Sequence, residues 1–240
     1  MKKYLWIISM IAMFAACKKD ETETPQPAAP VWNATVNFKV DNSALLFDTI
    51  LYTNDAGNNY SVSRLQFYLS GFEFENQTGT TYMTDDVFYI DAITGTNTKL
   101  NFNNIPFGNY KRVKFYIGLD SANNITNALP NTVENQQMAW PDFMGGGYHF
   151  MKFEGSFLYN SSTWGFAMHL GKNQNLVTVE LNNAFDVKSV SDTLNFTMNL
   201  NEWFRNPLVY DFNIDGNYSM NDDTAMSKLS LNGSDVFIVQ

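Results

Sequence analysis

Apolar and polar residues alternate along most of this chain with a period of two, which is typical of half-buried β-strands. Between residues 112 and 119, for example, every second position is apolar, as at Val113 and Phe115. The strands predicted in this way are 36–40, 60–74, 87–91, 100–102, 112–119, 148–159, 164–170, 176–181, 193–200 and 236–239, with short helices at 202–205 and 225–229. This pattern predicts an all-β fold, an antiparallel β-sandwich formed as a single domain.

The N-terminal residues carry the pattern of an export signal. Two lysines precede an apolar run from Tyr4 to Ala16, and Cys17 follows directly. The run is too short to span a bilayer, which needs about 20 apolar residues. Because a lone cysteine after small residues resembles the lipobox of bacterial lipoproteins, we expect residues 1–16 to be a signal peptide and Cys17 to be lipidated. Ordinary secretion with a free thiol is the alternative.

The segment 17–31 is predicted to be a disordered tether. It combines charged residues, threonine and three prolines, so it has little apolar surface to bury. Its start resembles the acidic export signal of some lipoproteins. We therefore expect an outer membrane lipoprotein, on the periplasmic face or at the cell surface, with residues 32–240 as the folded domain.

Composition excludes several classes of function. The net charge of −9 argues against binding to nucleic acid, since a phosphate backbone needs basic partners. With one cysteine, the chain can form no internal disulfide and no cysteine-rich zinc site. The hydrophobic content of 45% is ample for a core.

The chain has only two histidines, His149 and His169, and both fall on one predicted β-hairpin. Pairing Tyr159 with Ser162 across the turn places the two histidines within about three positions of being directly opposite. Two imidazoles at that separation can share one metal ion. This spacing predicts a metal site on the hairpin.

Convergence of the two rings requires an irregularity in the hairpin. The simple register puts them on opposite faces, and a β-bulge at Gly155 or Gly165 would bring them onto one face. Met151 and Met168 lie nearby, and sulfur together with imidazole favours copper, Cu(I) in particular. The alternatives are histidines that only form hydrogen bonds and methionines that fill gaps in the core.

A second candidate metal site lies near the C-terminus. The segment 211–222 fits a calcium-loop pattern, with its candidate oxygen ligands at Asp211, Asn213, Asp215, Ser219 and Asp222. The last position is aspartate rather than the usual bidentate glutamate, and flanking helices are not evident. The alternative is a turn rich in Asn and Asp, which uses the same residues for backbone reasons.

Catalytic patterns are weak, so we expect a protein that is not an enzyme. Ser156 and Ser161 lie near the histidines without a nucleophile motif around them. The alternative to a metal protein is a non-catalytic surface module for adhesion to glycans or to a protein partner. Trp32, Trp164 and Trp203 would be its contact residues, although core packing is the more ordinary role of a tryptophan.

Seven short segments occur in an order and spacing that match a known family. They are 62–70, 88–92, 109–123, 138–155, 168–171, 211–213 and 233–237. The most specific pieces are Gly147-Tyr148-His149-Phe150-Met151 and Met168-His169-Leu170-Gly171. Together they resemble the MbnP-like copper-binding domain family of bacterial periplasmic and surface lipoproteins, over about residues 33–240.

The resemblance implies a β-sandwich with a copper site built around histidine. By position, His169 and His149 carry over as ligands. Some members of the family oxidise a tryptophan to kynurenine with the help of a partner haem peroxidase, and Trp140 is the matching tryptophan here. Asp142 and Met168 stand where many members carry aromatic residues. These departures allow a copper site that is lost, altered or built through sulfur.

Overall fold

The computed structural model describes residues 30–95 and 98–239, which form two packed β-sheets. The strands are β1 (Val31–Val40), β2 (Ser43–Ala44), β3 (Tyr52–Thr53), β4 (Asn59–Asn76), β5 (Thr81–Asp91), β6 (Lys99–Asn103), β7 (Gly108–Ile117), β8 (His149–Tyr159), β9 (Ser162–Gly171), β10 (Val177–Leu181), β11 (Phe185–Val187), β12 (Thr193–Asn199) and β13 (Phe237–Val239). The α-helices are α1 (Val133–Gln137) and α2 (Asp223–Asn232). Short 3-10 helices lie at Asp142–Met144, Asn173–Asn175, Leu200–Phe204 and Gly233–Asp235.

The predicted signal peptide, Cys17 and nearly all of the predicted tether lie outside the described residues. The first strand, β1, begins at Val31, one residue before the predicted start of the domain. Among the residues that the structure does describe, no helix is long and apolar enough to cross a membrane.

The two sheets confirm the predicted all-β sandwich in a single domain. The smaller sheet has the strand order β13-β12-β1-β2, with β6 also paired to β1. The larger sheet has the order β10-β7-β4-β8-β9, with β11 on β7 and both β3 and β5 on β4. These pairings are antiparallel, except that β1 and β12 run parallel.

Aromatic side chains fill the space between the sheets. Phe72 lies at the centre, with its ring centroid 4.9 Å from those of both Phe102 and Phe115. Trp32 is fully buried beside them, and its indole N–H donates to the carbonyl of Ile105 over 3.1 Å. Each such ring pair stabilises the fold by about 0.5–1.5 kcal/mol beyond the area that it buries.

The hairpin of β8 and β9 closes with a two-residue turn. Asn160 and Ser161 both have positive φ, at 49° and 61°. Positive φ at both central residues defines a type I′ turn, whose twist matches that of the two strands. The predicted pairing of Tyr159 with Ser162 is confirmed.

The long irregular segment 120–147 packs on the outer face of the larger sheet, away from the core. The Tyr68 hydroxyl on β4 donates to Asn135 Oδ1 over 2.7 Å. Lys152 on β8 donates from Nζ to the main-chain oxygen of Gln137. These contacts make a second buried layer, which covers part of the sheet that would otherwise face solvent.

Candidate metal centre

One extra residue in β8 places His149 on the outer face of the larger sheet. Lys152 pairs with His169 across the hairpin, whereas His149 pairs with Gly171 and leaves Phe150 as the extra residue. Without this bulge, His149 and Lys152 would point to opposite faces, because strand residues alternate. With it, both histidines lie on the same face.

The bulge is not at either glycine that the sequence suggested. Gly155 pairs in register with Phe166, and Gly165 pairs in register with Ser156. Gly155 has a different role, because a Cβ atom there would lie 1.9 Å from the main-chain oxygen of Ser61 on β4. It is glycine because the neighbouring strand approaches too closely for a side chain.

The structure brings His149, His169 and Trp140 together. The centroids of the two imidazole rings are 5.1 Å apart and the rings are nearly perpendicular, at 85°. The Trp140 ring lies 4.6 Å from that of His149. Gly171 makes room for the indole, since a Cβ atom there would lie 2.4 Å from it. One ion can contact both imidazoles at this separation, because imidazole–metal bonds are about 2.0–2.1 Å long.

His149 is held as a neutral ring with Nε2 carrying its lone pair. Its Nδ1 lies 3.1 Å from the main-chain oxygen of Met138, and a carbonyl can only accept, so Nδ1 carries the proton. Burial of the ring lowers the pKa of His149 to about 3, and the neighbouring Lys152 and His169 add to this lowering. A neutral imidazole with a free Nε2 is the form that ligates metals.

His169 is held in the opposite orientation. Its Nε2 lies 2.8 Å from Glu154 Oε1, so Nε2 carries a proton, and in the neutral ring Nδ1 then carries the lone pair. Nδ1 is buried and has no hydrogen-bond partner in the described part of the chain. Burial raises the pKa of Glu154, but the hydrogen bond from His169 and the charge of Arg64 outweigh it and hold that pKa below its usual value. The carboxylate is therefore ionised.

Met151 and Met168 do not belong to this site. Both are fully buried in the core, and each is followed along its strand by an outer-face residue, Lys152 after Met151 and His169 after Met168. Because successive strand residues face opposite sides, the predicted assistance of their sulfur atoms does not fit the sheet. In the ranges 30–95 and 98–239, no three His, Cys, Asp or Glu side chains come together as a metal-ligand cluster. The two imidazoles are thus the donors that this face offers.

Several side chains of the predicted calcium loop hold the fold together. Asp215 forms an ion pair with Lys228, with Oδ2 and Nζ 2.7 Å apart. Asp222 is the N-cap of α2, and the buried Ser219 hydroxyl bonds to the backbone of β9. Asp211 and Asn213 form a local turn, in which the Asp211 carboxylate accepts from the Asn213 amide. These contacts fit the alternative of a turn rich in Asn and Asp, and the calcium site stays a prediction.

Two of the three tryptophans suggested as surface contacts lie in the core. Trp32 and Trp203 are both fully buried, so neither can contact a partner. Trp164 is 52% exposed near the hairpin turn, where its ring packs 6.3 Å from that of Tyr159. Only this tryptophan of the three fits the binding-module alternative.

Comparison with known proteins identifies a family and a similar fold. The family model named MbnP matches residues 33–226. Among solved structures, the chain is similar to MbnP from Methylosinus trichosporium, with a TM-score of 0.54 and 17% identity, over 76% of this chain and 80% of that one. At this identity the likeness establishes the fold alone. No curated protein sequence matches the chain.

Proposed function

Because this chain belongs to the MbnP family, we propose that it binds a copper ion through His149 and His169 on the outer face of the larger sheet. The observation that carries the proposal is the buried, unpartnered Nδ1 of His169 beside a second imidazole 5.1 Å away. A buried polar atom without a partner costs about 1–3 kcal/mol, and a metal bond would remove that cost.

The donor set fits copper. Imidazole nitrogen suits copper, and among divalent first-row ions Cu²⁺ binds nitrogen sites most strongly. Each ring is fixed by a hydrogen bond through its other nitrogen, to Met138 for His149 and to Glu154 for His169. Such bonds orient ligating histidines and set their tautomers. When bound, copper would serve as cargo for transport or storage, or as a redox centre.

Copper titration tests this function. We expect metal-free protein to bind Cu(I) or Cu(II), and the His149→Ala and His169→Ala double variant to bind at least about a hundredfold more weakly. Met168→Leu is the matched control, since it keeps the volume of a core residue and should leave affinity within about twofold. Unchanged affinity in the double variant would end the proposal.

Trp140 is the residue that we propose for oxidation to kynurenine by a partner haem peroxidase. Two observations support this proposal. Trp140 matches the modified tryptophan of the family pattern, and its ring contacts that of His149, with the centroids 4.6 Å apart. The intact mass of protein from its native source should differ from that of protein made without the peroxidase. Trp140→Phe should abolish the difference, and equal masses would contradict the proposal.

We also propose that the protein is an outer membrane lipoprotein, anchored through Cys17 at the periplasmic face or the cell surface. The lipobox-like residues before Cys17 support this location. Cys17→Ser should move the protein from the membrane fraction to the soluble fraction and prevent fatty-acid labelling. Protein that remains membrane-bound and labelled in this variant would contradict it.

A second candidate function is adhesion to a glycan or to a protein partner. The exposed Trp164 and the adjoining Tyr159 support it, because aromatic faces at a surface commonly stack on ligands. A glycan array run with and without copper should then show binding that Trp164→Ala removes. Binding that needs copper but not Trp164 would favour the metal proposal instead.

A further inference from the structure

We propose that Glu154 is the positioning residue of the copper site, an inference that rests on the proposed function. Glu154 holds His169 in the tautomer whose Nδ1 lone pair is free for the metal, and Arg64 holds Glu154. The ion pair between Arg64 on β4 and Glu154 on β8 thus controls the tautomer of a metal ligand.

The three side chains form a continuous chain of contacts across three strands. Arg64 on β4 pairs directly with Glu154 on β8, and its Nη1 donates to Oε1 and Oε2 over 2.9 and 3.0 Å. Oε1 also accepts from His169 Nε2 on β9 over 2.8 Å. The His169 and Glu154 side chains are only 15% and 23% exposed, so water competes little for these bonds.

The role of Glu154 depends on which ring nitrogen of His169 carries the proton. An ionised carboxylate only accepts hydrogen bonds, so it fixes the proton of neutral His169 on Nε2. Without the carboxylate, the proton can move to Nδ1, where it would block the buried nitrogen that faces no other partner. A metal ligand needs that lone pair, so the loss of Glu154 should cost affinity without the loss of any ligand.

The tautomers of the two histidines are fixed by different kinds of group. His149 is fixed by a main-chain oxygen, that of Met138, which no side-chain substitution removes. His169 is fixed by a side chain, which a single substitution can change. Glu154 is therefore the point at which the tautomer of a ligand can be altered while both rings remain.

The first test needs no metal. In metal-free protein labelled with ¹⁵N, long-range proton–nitrogen correlations report which ring nitrogen of His169 is protonated. We expect the proton on Nε2 in the wild type and a population with the proton on Nδ1 in Glu154→Gln. Glu73→Gln is the matched control, because Glu73 lies on the same sheet in an ion pair with Lys114. It should leave the spectrum of His169 unchanged.

The second test is copper affinity in the same variants. Glu154→Gln should bind copper about 10- to 100-fold more weakly than the wild type, and Glu73→Gln within about twofold of it. Arg64→Met should give a smaller loss, because it loosens Glu154 without removing it. Near-UV circular dichroism identifies any variant that fails to fold. If Glu154→Gln does not fold, the position of the proton on His169 in the wild type still tests the role of Glu154.

The outcomes separate this inference from the proposed function. A wild-type His169 with its proton on Nδ1, or a folded Glu154→Gln protein with wild-type affinity and tautomer, would overturn the role of Glu154. A wild type that binds no copper would overturn the proposed function, and the tautomer spectra would still decide whether Glu154 positions His169.

Discussion

The two faces of the hairpin formed by β8 and β9 are built on different principles. On the inner face, Phe153 and Met168 join a continuous aromatic and aliphatic core. On the outer face, His149, His169 and Glu154 are each oriented by no more than a few specific hydrogen bonds. The inner face depends on many interchangeable contacts, whereas the outer face depends on a few that have no substitute. The same two strands should therefore lose stability and metal binding through different substitutions.

The largest effect is expected on the inner face. Phe153 is fully buried against Phe166 and Phe204, with ring centroids 5.6 and 5.3 Å away. Phe153→Ala should lower the free energy of unfolding by about 3–5 kcal/mol, because it leaves a cavity. Urea unfolding measures this. Phe143→Ala is the control, since Phe143 is 89% exposed and should change stability by less than about 0.5 kcal/mol. A similar loss of unfolding free energy in both variants would contradict the view that the inner face of the hairpin is held by core packing.

A methyl group at Gly171 should disturb the outer face directly. Its Cβ atom would lie 2.4 Å from the Trp140 ring, so Gly171→Ala should cost about 1–3 kcal/mol by overpacking and move the indole. Unfolding and tryptophan fluorescence would record both effects. Gly165→Ala in the same strand is the matched control, since its nearest contact, the Tyr218 hydroxyl, is 3.5 Å away. An unperturbed Gly171→Ala protein would contradict the close packing of Trp140.

Acid should weaken the metal-free protein through His149. The unfolded chain binds a proton at this ring below its ordinary pKa of about 6.5, whereas burial lowers the folded pKa to about 3. Because the unfolded state then binds more protons, stability rises with pH in this interval. Between pH 6.5 and 5 the loss should be about 1.7 kcal/mol, because the unfolded ring is half protonated at pH 6.5 and the slope approaches about 1.4 kcal/mol per pH unit only at lower pH.

Comparison with His149→Leu isolates that contribution, since the variant lacks the titrating ring. Its unfolding free energy should fall less between pH 6.5 and 5 than that of the wild type. Above the ordinary pKa of aspartate and glutamate, few carboxylates contribute to the difference. Parallel curves for the two proteins would show that His149 is not held neutral.

The smallest effect is expected at Trp164. With half of its surface exposed, it is outside both the core and the histidine site. Trp164→Ala should change the unfolding free energy by no more than about 0.5 kcal/mol and leave copper affinity unaltered. A large loss of copper affinity in this variant would mean that the exposed end of the hairpin and the metal site are not independent.

Much of the fold follows from the sequence, because a period of two identifies most of the strands. The predicted strand 112–119 corresponds to β7 (Gly108–Ile117), and the predicted hairpin corresponds to β8 and β9. The strands that the pattern missed are β2, β3 and β11, which are two or three residues long. Segments this short show no periodicity, and their pairing partners alone define them.

The site was less accessible to sequence reasoning. The histidines stand out because there are only two, but the bulge was expected at a glycine. A usable signal was present, since Phe150 and Met151 are consecutive apolar residues that interrupt the alternation of β8. Glu154 gave no such signal, because an outward-facing carboxylate in a strand is usually solvated. The calcium pattern does not distinguish a metal site from a turn, because turns and calcium loops use the same residues.

The parallel pairing of β1 with β12 has a consequence for the order in which the chain folds. It joins distant segments, such as Asn37 and Asn195, which are 158 positions apart, whereas Glu154 and His169 are 15 apart. Hairpins form within microseconds, and long-range pairings are slow. The ligand-bearing hairpin can therefore assemble early, whereas β1 can pair with β2 and β6 but not with β12 until most of the chain has been made.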